Sequence, residues 1–150
     1  MTSWSDFAAS HPDLAARVRA RFEATKHKTM ATLRKDGSPR ISGTETAFDD
    51  TDLTLGSMPG SVKLADLQRD PRIALHSATV DPVDGQEAQW PGEAKVAGRV
   101  VTIPQPGGPD GAYFRVELEE VVLTTITESG KELRIESWHP EQGYRERVRS

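Results

Sequence analysis

Between Thr29 and Trp138 the chain changes pattern every few residues. Short alternating or β-branched runs are cut by Asp36-Gly37, Asp49-Asp50-Thr51, Asp70-Pro71 and Ser129-Gly130. This punctuation leaves room for only one short helix between strands, so successive strands must pair largely as antiparallel hairpins. The strongest turn is Asp36-Gly37 within "TMATLRKDGSPRISGTETAF", with Pro39 opening the second strand, where its missing N–H disturbs no central ladder. Leu53 to Leu55, Ile73 to Ser77, "EAKVAGRVVTI", Tyr113 to Thr127 and Leu133 to Trp138 supply further strands. Gly98 marks a bulge or a close approach, and the long strand bends near Glu119-Glu120. The result is a mainly β fold with short helices, an antiparallel barrel or sandwich of six or seven strands rather than a βαβ sheet.

Two helical segments flank and interrupt this array. Ser10 to Thr25 reads as one amphipathic helix, with Ser10 as N-cap and Pro12 in the first turn. Leu14, Val18 and Phe22 form its apolar stripe, and Arg17, Arg19 and Arg21 face water. A second helix runs over Val62 to Arg69 and stops at Asp70-Pro71. Residues 79–92 and 104–111 read as loops, and "PEQGYRERVRS" as an irregular charged tail. Residues 1–150 are expected to form a single domain: a helix at about 10–25, a barrel at about 28–138 and a short tail.

Composition narrows the function classes. A hydrophobic share of 35% gives a thin core, or one completed by a partner. The net charge of −4 and few aromatics argue against nucleic acid. Without cysteine there is no disulfide framework, thiolate metal site or cysteine nucleophile. No apolar run approaches about 18 residues and the start lacks a signal-peptide pattern, so a cytoplasmic protein without a membrane span is expected. His11, His27, His76 and His139 show no metal spacing, and no GxSxG elbow surrounds Ser42, Ser57 or Ser61. Trp90 and Trp138 suit an interface or barrel-capping role better than ligand stacking.

One stretch bears on chemistry, "GSMPGSVKLADLQRDPR" from Gly56. If Ser61 caps the helix starting at Val62, that helix's free amides and positive dipole end point at one spot. Gly56 and Gly60 allow close approach, Ser57 and Ser61 offer hydroxyls, and Lys63 adds a cation in the first turn. A lysine at a positive dipole end is unfavourable unless an anion lies near it. Ordinary capping and an anion cradle both fit these residues. Arg40 is equally open, as a solvated edge arginine or a bidentate phosphate ligand.

Taken in order, the "DG-P-R" hairpin, the segment Ser61, Lys63, Asp66, Leu67, Asp70, Pro71, Arg72, and "EAKVAGRVVTI" resemble the pyridoxamine 5′-phosphate oxidase-like, FMN-binding split β-barrel family. The resemblance covers roughly residues 27–103. It implies a homodimer of split barrels with cofactor sites between subunits. It further implies that Arg40, Ser57, Ser61 and Lys63 hold the cofactor phosphate, that Gly56 and Met58 lie along the ring system, and that Glu93 reaches the flavin across the interface. The ending "ELRIESWHPEQGYRERVRS" resembles the small flavin/deazaflavin oxidoreductases, some using coenzyme F420, rather than the vitamin-processing oxidase itself. FMN and F420 both present a phosphate, so the motif does not choose between them. The acidic polyglutamate tail of F420 would favour extra cations, for which Lys26, Lys28, Arg34 and Lys35 stand available. The function implied is hydride transfer between such a cofactor and a small organic substrate, with no residue marked as acid or base. The alternative is a non-catalytic flavin-binding or storage protein of the same fold.

Overall fold

A computed structural model describes residues 2–105, 107–108 and 111–150. The segment expected to be one N-terminal helix is two. Helix α1 (Trp4–Ser10) is capped by Ser3, whose hydroxyl accepts from the Asp6 amide, and α2 (Pro12–Glu23) follows after His11. Ser10 therefore ends the first helix instead of capping the second, and the N-cap position of α2 falls to His11, which makes no side-chain cap bond. Trp4 and Phe7, one turn apart, bury α1 against the sheet. Leu14, Val18 and Phe22 bury α2 as the spacing predicts.

The remaining order is β1 (His27–Leu33), β2 (Pro39–Phe48), β3 (Leu53–Gly56), α3 (Val62–Arg69), β4 (Arg72–His76), a single 3₁₀ turn at Glu87–Gln89, β5 (Glu93–Thr102), β6 (Tyr113–Ile126), β7 (Leu133–His139) and β8 (Gly143–Arg149). The strands run β3-β2-β1-β4-β5-β6, all pairs antiparallel, and β3 pairs again with β6 to close a six-stranded barrel. The second half of β6 leaves that closure and carries β7 and β8 as two further strands. Met30, Leu55, Leu75, Val96, Phe114 and Val116 belong to one continuous core with the buried faces of α1 and α2. Of the loop read over 104–111, residues 106, 109 and 110 lie outside the described residues.

Gly98 does what its position requires. The β5–β6 register shifts between Ala97, opposite Glu120, and Gly98, opposite Leu118, so Glu119 is the extra residue of a bulge. A Cβ on Gly98 would sit 1.9 Å from the Glu117 carbonyl oxygen, which only glycine avoids.

The C-terminal residues expected to be irregular form β8, paired along its length with β7. Charge alternation hid this strand, because one row is Arg145, Arg147, Arg149 and the other Tyr144, Glu146, Val148. Arg17 also departs from its expected solvent role. It grips the buried Glu136 carboxylate with two bonds of 2.7 Å, and the Tyr144 hydroxyl donates to the same carboxylate at 2.8 Å. Hydrogen bonds from Arg17 lower the Glu136 carboxyl below its usual range against the opposing effect of burial. Trp138 is buried, its ring 4.9 Å from that of Phe7, and is a core residue. Among the described residues no helix is long and apolar enough to cross a membrane.

Candidate functional site

The barrel is closed at β3–β6 and opens between β2 and β3. These two strands pair only over Thr46–Leu55, Ala47–Thr54 and Phe48–Leu53. Thr54 and Leu55 pair with β6 on their other edge, and beyond Leu55 only that pairing continues: Gly56 lies opposite Tyr113, and the Ser57 amide donates to the Ala112 carbonyl at 2.8 Å. On its β3 side β2 is left without a strand partner from Glu45 back to Gly43. A cleft of about 600 Å³ occupies the gap. Gly43, Thr44, Glu45 and His27 form one wall, and Gly56, Ser57, Met58 and Pro59 the other, with Lys63 and Tyr113 between them.

Lys63 spans the split. Its ammonium donates to the Gly43 carbonyl at 2.7 Å, where no β3 residue pairs with β2. The local chain folds to deliver it there. Gly60 turns the loop at φ +80°, and the Ser61 amide closes the turn on the Met58 carbonyl. Ser61 then caps α3, its hydroxyl accepting from the Leu64 amide at 3.3 Å. That bond leaves the first amides of the helix, Val62 and Lys63, with no intrahelical acceptor. The Ser57 hydroxyl oxygen is buried and has no hydrogen-bond partner among the described residues. Tyr113 backs the opening: its hydroxyl donates to Thr54 Oγ1 at 3.0 Å, and a Cβ on Gly56 would press to 3.2 Å from its ring.

Of the residues expected from sequence, Gly56, Ser57, Met58 and Lys63 come together on this cleft, and Ser61 supports it as the helix cap. Arg40 is not on its walls. Its Nε donates to Asp66 Oδ2 at 2.7 Å, beside Thr32 Oγ1 at 2.8 Å, while Arg69 donates to Asp66 Oδ1 at 2.9 Å. Burial alone would raise the Asp66 carboxyl, but these three donors outweigh it and hold it down at about 2. Arg40 thus ties β2 to the underside of α3. Glu93 also lies away from the cleft, 3.8 Å from the His76 ring.

His27, Glu45, Thr44 and Tyr113 join the site without having been singled out. The hairpin already contained the first two. The turn pairs Leu33 with Pro39, and counting outward along both strands places His27 opposite Glu45. Only the point at which β3 deserts β2 was missing.

The family model described as pyridoxamine 5′-phosphate oxidase matches residues 14–120. No curated protein matches the chain in sequence. Among solved structures, it is similar to a pyridoxamine 5′-phosphate oxidase-related, FMN-binding protein from Nostoc punctiforme, at 10% identity and TM-score 0.61, over 93% of this chain and 96% of that one. PhzG from Burkholderia lata, solved with tetrahydrophenazine-1-carboxylic acid, aligns at 12% identity and TM-score 0.63, over 95% and 90%. A heme-binding protein from Mycobacterium smegmatis aligns at 17% identity and TM-score 0.64, over 87% of this chain and 60% of that longer one. At these identities the likeness is one of fold.

Proposed function

The chain belongs to the pyridoxamine 5′-phosphate oxidase family, and from that premise we propose that it is an FMN- or F420-dependent oxidoreductase acting on a small organic substrate as a homodimer. The observation that carries the reading is the buried Ser57 hydroxyl, without a partner among the described residues, on the same cleft as the Lys63 ammonium and beside the open end of α3. A buried hydroxyl left unpaired is costly, and a phosphate oxygen would satisfy it. Ser57, Lys63 and the first amides of α3 would hold that phosphate, with Lys63 exchanging the Gly43 carbonyl for a charged acceptor. Gly56 and the exposed Met58 would border the ring system. Arg40 contributes by fixing α3 through Asp66. When bound, the flavin or deazaflavin supplies the hydride chemistry. The protein binds, orients and excludes water.

A dimer fits the outer face of the barrel. Ile41, 75% exposed, stands with Ala31, Ala74 and Ala97 around an apolar hollow of about 430 Å³. Exposed apolar surface of this kind marks a contact face. The second reading, a non-catalytic flavin-binding protein of the same fold, fits a cleft in which no side chains are hydrogen-bonded into an acid–base pair among the described residues.

Titration of the apo-protein with FMN and with F420, followed by fluorescence, tests the site. Lys63→Ala should weaken binding about 10- to 100-fold and Ser57→Ala about 5-fold, the range for losing a charged and a neutral hydrogen bond. Unchanged affinity in Lys63→Ala would remove the phosphate assignment. A bound chromophore that bleaches with reductant and recovers with substrate supports the oxidoreductase, and a redox-idle one supports the binding protein.

A further inference from the structure

The phosphate cleft carries a carboxylate on its wall, and an anion site has no use for one. Glu45 borders that cleft and also a second one of about 470 Å³ that continues along β2 past Lys26, Lys28 and Glu23. Its side chain is 58% exposed and stands 3.5 Å from Lys26 Nζ. We infer that Glu45 is a specificity-determining residue, and that the cleft selects a ligand whose negative charge ends at its phosphate, FMN in preference to a deazaflavin carrying an oligoglutamate chain. The inference rests on the cofactor reading above.

An oligoglutamate chain needs a run of free cations, and the four candidates, Lys26, Lys28, Arg34 and Lys35, are each engaged or remote. Lys28 is 5% exposed, with its ammonium donating to the Thr25 and Lys26 carbonyls at 2.7 and 3.1 Å. Burial lowers its pKa despite nearby Glu45 and Glu23. Lys26 has Glu45 beside it. Arg34 and Lys35 lie past the Leu33–Pro39 end of the β1–β2 ribbon, whereas the cleft lies at the His27–Glu45 end. Six residues of strand separate these ends, about 20 Å at roughly 3.3 Å per residue. The other walls, Met58, Pro59, Gln105, Ala112 and Tyr113, bear no cation. Within one protomer, Lys63 is the one lysine or arginine lining the phosphate cleft among the described residues, and the adjoining cleft along β2 is bordered by Glu45 and by Glu23 of α2 as well as by the engaged Lys26 and Lys28.

The test titrates apo-protein at low ionic strength with FMN, with a glutamate-free deazaflavin phosphate and with the same deazaflavin bearing several glutamates. In the wild type the tail should weaken binding by less than about fivefold, since one like-charge contact near 4 Å in water is partly offset by Lys26 beside Glu45. Glu45→Gln should erase or reverse the preference for tail-free ligands, because it also frees Lys26. Glu45→Lys should favour the tailed ligand about 25-fold relative to wild type, and 0.5 M salt should collapse that gain because the site is exposed, on the order of a 4 Å screening length. Tighter wild-type binding of the tailed ligand than of the tail-free one would overturn the inference, as would a Glu45→Lys effect equal for both. If neither single-phosphate ligand binds, the cofactor reading itself falls. If FMN binds through Lys63 and the tailed ligand still binds tighter, only the role of Glu45 falls. Melting curves of the Glu45 variants, expected within a few degrees of wild type, separate binding effects from unfolding.

Discussion

Replacing Asp66 by asparagine separates the residues that hold the site from those that would touch a ligand. Asp66 is 2% exposed and accepts from Thr32 on β1, Arg40 on β2 and Arg69 one turn along α3. Arg69 also donates to the Leu33 carbonyl at 2.8 Å, so helix and ribbon are locked by one carboxylate and its partners. The amide keeps the shape but removes the charge and turns one acceptor into a donor facing guanidinium groups. Two charge-assisted bonds weaken, at about 1.5–3 kcal/mol each when fully buried. Arg40 and Arg69 are 24% and 37% exposed, and solvent recovers part of that loss. A net destabilisation of about 2–4 kcal/mol follows, or roughly 5–15 °C in Tm for a chain of this size.

The pH dependence provides a second reading of the same number. The folded carboxyl titrates at about 2 against an ordinary 3.8. A depressed carboxyl contributes stability that is whole above the unfolded value and is lost as pH falls through the folded one. The wild-type advantage over Asp66→Asn should therefore be full at pH 6, shrink below about pH 4 and lose about 1–2 kcal/mol by pH 2, with solvent screening allowed for. Thermal melts of both proteins across that range are the assay. A variant within 0.5 kcal/mol of wild type at pH 6, or a gap that does not narrow in acid, would show that Asp66 does not lock α3 to the ribbon.

Tyr144 should titrate late. Burial and its hydrogen bond to Glu136 push the phenol up to about 12, so ultraviolet titration of Tyr113→Phe should show a tyrosine ionising well above pH 10 that moves part of the way back when Glu136→Gln is added. Because the folded value is raised, the stability this group contributes is whole below about pH 10 and lost as pH rises through 12. On the outer barrel face, Ile41→Glu should convert a dimer to monomer in sedimentation at micromolar concentration without lowering the monomer's melting temperature by more than a few degrees, since the side chain is 75% exposed. A wild-type monomer would leave that face unassigned.

Much of the fold was legible because turns and bulges announce themselves locally. Asp36-Gly37 set the β1–β2 register, Asp70-Pro71 ended α3 at Arg69, and Gly98 marked its bulge. What escaped depended on distant partners. Two aromatics one turn apart are too few to declare α1 until Phe48 and Trp138 receive them. β8 alternates charge with charge and acquires a face only when Glu136 collects Arg17 and Tyr144. Arg40 illustrates the same limit within the site. Sequence supplies the guanidinium and the strand, but the bond from its Nε to Asp66 depends on a carboxylate 26 residues away.

The site itself follows from a conflict in the topology. β3 is four residues long and must serve two neighbours, β2 on one side and β6 on the other. Thr54 and Leu55 pair with both neighbours, but Gly56 pairs with β6 alone, so β2 from Glu45 back to Gly43 has no partner on that side. An unpaired strand edge inside a fold must be satisfied by something. Here a lysine side chain from the next helix substitutes for the missing amide at Gly43. That substitution can be undone, because a lysine that borrows a carbonyl can release it to a phosphate while a strand amide cannot. The short third strand, the glycine turn at Gly60 and the cap at Ser61 therefore have one joint consequence. They leave the barrel open at one seam and place the Lys63 ammonium across the opening.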